Sequence, residues 1–141
     1  MFISEKNKKT LLKILIAYIC ITAFIALFGI IYEQFSHNVY SFWMSFAWLW
    51  VLLFGLIPHV AFYFLPINKI PGLLAGCFYN LGVAVFTAGS IYKGVVDIYG
   101  TTRDEMFRAY IIIAIICLVA GLALYGMGFG LKKSGNQEEL N

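Results

Sequence analysis

Glu33 and His37 stand one helical turn apart in the stretch YEQFSHNVYS, residues 32–41. A carboxylate and an imidazole at that spacing share a helix face, where they can hold a metal, relay a proton or titrate as a pair. A second polar stretch, DIYGTTRDE, carries Asp97 and Arg103. Glu33, His37, Asp97 and Arg103 form a candidate polar site at the outer rim, in which Glu33, His37 and Asp97 could converge on an external cation or proton. The plainer reading is a solvated rim that neutralises itself, because Lys93 precedes Asp97, and Asp104 precedes Arg108, by one turn. Glu-x-x-x-His alone is a weak motif, and here Ser36 reads as a turn residue and Asn38 as the N-cap of the next helix. If the first helix continues past Tyr32, His37 becomes a candidate pH-responsive group.

Other chemistry finds little support. His37 and His59 are 22 residues apart on what reads as one helix, or roughly 33 Å. They therefore cannot hold one haem iron between them within a chain, and a haem-binding redox protein is the least favoured reading. Cys20, Cys77 and Cys117 form no Cys-x-x-Cys pair and read as small hydrophobes. A proton-coupled transporter wants an acid at membrane depth, and no long apolar run has one in its central turns. The chain reads as non-enzymatic, with no metal, cofactor or nucleic-acid partner implied.

These residues must be positioned by elements suited to lipid. The chain is 62% hydrophobic and only 12% charged, with a net charge of +3. That leaves too little polar surface to cover a small water-exposed globule. Four apolar runs, at about 10–32, 39–65, 72–96 and 106–131, are long enough to cross a bilayer. Without water to pair backbone groups, runs of this length must be helices. Lys6, Lys8, Lys9, Lys13, Lys69, Lys132 and Lys133 fall on one side, against Lys93, Arg103 and Arg108 on the other. This bias places both termini in the cytoplasm and the Glu33–His37 stretch outside.

The links are short, so sequential helices should be antiparallel neighbours. The expected fold is all-α, one up-down four-helix bundle in a single integral membrane domain (1–141), with a frayed polar tail over 132–141. Gly100 suits the positive φ of a tight turn. Pro58 lies inside the second run beside Gly55 and deprives the Phe54 carbonyl of its partner, so this pair should bend the helix and is the candidate hinge. Gly72, Gly76, Asn80, Ala84 and Ala88 recur every four residues, and Ala114, Gly121 and Gly128 every seven. Small residues at such spacing predict helix-packing seams, within the chain or between subunits. Asn80, the one amide at depth, must find a partner.

The segments IYEQFSHNVYSFWM (31–44) and YNLGVAVFTAGSIYKGVVDIYGTT (79–102) resemble segments of small four-span integral membrane proteins predicted from bacterial genomes. The resemblance covers about a quarter of the chain and implies a fold and a compartment, the bacterial plasma membrane, with no reaction attached. The function expected from all this is association in the lipid bilayer, as a homo-oligomer or as an accessory subunit of a larger membrane protein. The alternative is a small transporter or channel using the outer rim.

Overall fold

A computed structural model describes residues 5–36, 39–64, 72–101 and 104–138, and for 5–8, 62–63 and 128–138 it describes the backbone alone. The described residues are helical apart from short turns and a few residues without regular structure, among them 39–41. The helices are α1 (Glu5–Phe35), α2 (Phe42–Ser45), α3 (Ala47–Trp50), a π-helical stretch (Val51–Leu56), α4 (Ile57–Phe64), α5 (Leu73–Ile98) and α6 (Asp104–Glu138). Among the described residues, three helices are long and apolar enough to cross a membrane: Lys9–Phe35 in α1, α5 itself, and Asp104–Met127 in α6. The final helix continues to Glu138, so part of the tail expected to fray is helical.

The expected second run is different, because it is helical in pieces. Ser41 occupies the N-cap position of α2, extended at φ −115° and ψ 129°, but its hydroxyl caps no amide. The expected cap, Asn38, lies outside the described residues. The first break falls at Phe46, between α2 and α3. There the Trp43 carbonyl accepts a hydrogen bond from the fully buried Ser90 hydroxyl of α5, 2.8 Å away. The second irregularity is the π-helical stretch just before Pro58. A proline cannot donate to the preceding turn, so the ladder is already short of one bond here. The Phe54 carbonyl accepts instead from the Tyr79 hydroxyl, at 2.8 Å. These bonds arrive from residues far along the chain, where local sequence does not announce them.

Among the described residues, helix backbones meet between successive segments: α1 with α2 to α4, α2 and α3 and the π-helical stretch with α5, and α5 with α6. The most extensive of these contacts is between α5 and α6. Among the same residues, no backbone contact joins α1 to α5 or to α6. The core where α1, the π-helical stretch and α5 converge is Tyr18, Val51 and Val83, flanked by Ile14, Leu56 and Leu118.

The α5–α6 seam runs through glycines other than those expected on α5. A Cβ at Gly82 would stand 2.9 Å from the Leu118 backbone nitrogen, and one at Gly121 2.7 Å from that of Tyr79. Ala75, Gly82 and Gly89 are buried, whereas Gly72, Asn80, Ala84 and Ala88 are exposed and Gly76 is half-buried. The reason is geometric. At 3.6 residues per turn, a four-residue step overshoots by about 40°, so Gly72 to Ala88 drifts through roughly 160°. A seven-residue step falls short by only about 20°. Ala75, Gly82 and Gly89 therefore keep one face, as do the buried Ala114 and Gly121 of α6. Gly128 follows in the α6 backbone.

Candidate functional site

Polar groups gather in two places. The first is the rim where α1 ends and α6 begins. The Glu33 carboxylate, near the end of α1, accepts a hydrogen bond from the Ser45 hydroxyl of α2. Ser45 also lies 3.0 Å from the Ser41 carbonyl oxygen. The buried Ser41 hydroxyl in turn donates to Asp97 of α5, at 3.0 Å. Lys93 bridges Asp97 at 2.8 Å and Asp104 of α6 at 2.6 Å. The expected Lys93–Asp97 pair is thus present, while Asp104 meets Lys93 across the connection rather than Arg108 one turn on. Gly100 makes that connection possible, with φ +70°.

Glu33 and Asp97 are linked through Ser45 and Ser41 rather than by direct contact. His37 and Arg103 lie outside the described residues. Glu33, Asp97 and Asp104 each already hold a partner, so the rim acts first as a clamp on four helix ends. No group of three or more His, Cys, Asp or Glu suited to a metal occurs among the described residues.

The second polar cluster surrounds the π-helical stretch, well inside the spans. The Tyr18 hydroxyl of α1 donates to Asn80 Oδ1 of α5 at 2.7 Å. This is a partner for the amide of Asn80, on its oxygen side. The Tyr18 ring lies against Gly55, where any added Cβ would overlap it. His59 places Nδ1 2.7 Å from the Gly55 carbonyl oxygen. A carbonyl can only accept, so the neutral imidazole carries its proton on Nδ1. The carbonyl that Pro58 frees, on Phe54, belongs to Tyr79 rather than to His59. The His59 ring is 5.0 Å from that of Tyr18 and 6.3 Å from that of Tyr79.

Beside this cluster a cleft of about 460 Å³ opens between α1, from Ile14 to Ile25, and α5, from Asn80 to Ile91, with Val51 at its floor. It exists because the backbones of α1 and α5 do not meet. Asn80, Ala84 and Ala88, expected as part of a helix-packing seam, line it. A smaller cavity of about 150 Å³ lies between α4, α5 and α6 beside His59, Gly76 and Tyr125. Sequence reasoning missed Tyr18 and Tyr79. The available signal was a tyrosine in the interior of an apolar run, where its hydroxyl needs a partner as much as Asn80 does.

Compared with known protein families, curated proteins and solved structures, the chain matches none.

Proposed function

We propose that this chain is a non-enzymatic integral membrane protein that holds a lipophilic guest in the α1–α5 cleft, entered sideways from the bilayer. In this reading the broken segment Phe42–Phe64 is a fourth crossing. Its 23 residues would extend roughly 34 Å as helix, enough for the hydrocarbon layer. The lysine bias supports termini in the cytoplasm.

The observation that carries the reading is the cleft itself: a long apolar groove, open along its side, with one polar pair set into it. Such a concave, largely apolar surface with a few placed polar groups is the usual form of a small-molecule site. A second reading is assembly, with another copy or a larger membrane protein seated on the same small-residue face. It is favoured by the exposure of Ala84 and Ala88, which the chain's own seam does not use.

Native mass spectrometry from detergent separates the two. A monomer retaining a small non-covalent adduct is expected. A stable dimer, or a co-purifying protein with no small adduct, would move the conclusion to assembly.

A further inference from the structure

The orientation of one amide says what kind of guest the cleft would take, and this inference rests on the guest-binding reading above. Tyr18 is buried, so its hydroxyl proton needs an acceptor, and Asn80 Oδ1 supplies it at 2.7 Å. The reverse assignment of the amide would leave that proton without one. The Asn80 amide nitrogen is therefore turned away from Tyr18. It carries two donors with no acceptor among the described residues, on an exposed residue that lines the cleft.

Asn80 is the eighth residue of α5, roughly 8 Å from the middle of that helix and so inside a hydrocarbon half-layer of about 15 Å. Water is scarce at that depth, and a bare amide donor is costly there. The cleft's other hydroxyl is already used, because Thr87 donates to its own Val83 carbonyl at 2.8 Å.

The shape narrows the choice further. The cleft runs from Asn80 to Ile91, roughly 16 Å along the helix. Its volume of about 460 Å³ is spread along that length, so it is an elongated groove rather than a rounded chamber. An α-helix with side chains is about 10–12 Å wide and would have to lie on top of the groove. A single extended hydrocarbon chain fits within it.

We propose that the guest is one hydrocarbon chain ending in a carbonyl, and that Asn80 selects it by donating from its amide to that oxygen. An acyl ester of a phospholipid and the ring carbonyl of an isoprenoid quinone both present this chemistry.

The test uses the full chain in detergent, with binding read by native mass spectrometry. The probes are a diacyl phospholipid, its dialkyl ether counterpart and a ubiquinone. Wild-type protein should retain one or both carbonyl probes about three- to tenfold better than the ether lipid, the gain of one hydrogen bond. Preference between the ester and the quinone identifies the source.

The Tyr18→Phe/Asn80→Leu double variant removes both hydrogen-bonding groups together, so no buried proton is orphaned. It should bind all three probes equally. Ala84→Trp should fill the cleft and abolish retention of every probe. Equal retention of ester and ether lipid by the wild type, a comparison needing no variant, would overturn the carbonyl assignment while leaving the guest reading intact. Undiminished retention by Ala84→Trp would overturn both, as would a dimer that displaces every probe.

Discussion

The rim and the inner cluster use similar polar groups to opposite ends. At the rim, Glu33, Asp97, Asp104 and Lys93 satisfy one another through Ser41 and Ser45, so charge there closes a structure. Around the π-helical stretch, Tyr18, His59 and Tyr79 are each engaged, whereas Asn80, which lines the cleft, is engaged only through its Oδ1. A polar group near water needs only a loose partner, because solvent supplies the remainder. A polar group at membrane depth must be matched by the protein or by what binds it. An unmatched group is therefore informative in the inner cluster and uninformative at the rim.

The sharpest way to break the inner region is by size. Gly55→Val would drive a side chain into the Tyr18 ring, which is held by Asn80 on its far side. Overpacking at such a site should cost about 3 kcal/mol. Thermal unfolding in detergent would show it, against Gly76→Val as the comparison, since a Cβ at Gly76 meets nothing. Gly76→Val should leave unfolding unchanged. Equal effects at both glycines would mean that Tyr18 does not seat on the π-helical stretch.

The rim should break through its hydrogen bonds. Ser41→Ala removes the one buried hydroxyl that joins α2 to Asp97, and should cost about 1 kcal/mol by the same measurement. Lys93→Met removes the ammonium that bridges Asp97 and Asp104. It should lower the unfolding temperature at low salt and do so progressively less as salt is raised, because those charges reach solvent. A salt-independent loss would place Lys93 in a dry site, and would make the rim more like the inner cluster.

Local rules made part of this legible. Long apolar runs and a helical fold followed from composition, the turn at Gly100 from its neighbours, and the Lys93–Asp97 pair from one-turn spacing. The seven-residue spacing of Ala114 and Gly121 predicted a face that is buried. The four-residue stripe on α5 does not follow the α5–α6 contact, because a repeat of four walks around a helix, and counting small residues without their angles hides that drift. The breaks at Phe46 and before Pro58 are tied to bonds from Ser90 and Tyr79, which lie 47 and 25 residues away. No window on the sequence of α2 to α4 contains those partners. The cleft was invisible for the same reason, since it is the gap left where the backbones of α1 and α5 stay apart and only side chains meet.

The smallest expected effect concerns Glu33, where the helix does run on past Tyr32, to Phe35. Its carboxylate accepts from Ser45 on the following segment. A double-mutant cycle of Glu33→Gln with Ser45→Ala should therefore show a coupling of about 0.5 kcal/mol in unfolding stability, the low end for residues in one hydrogen-bond network. Because the carboxylate already has that partner, a second cycle of Glu33→Gln with His37→Asn should be additive at both pH 5 and pH 8. Coupling in the second cycle at pH 5 that vanishes at pH 8 would mean a charged imidazole leans on Glu33. The rim would then hold a proton-responsive pair, and the contrast with the inner cluster would narrow from structure against binding to two sites with separate cargoes.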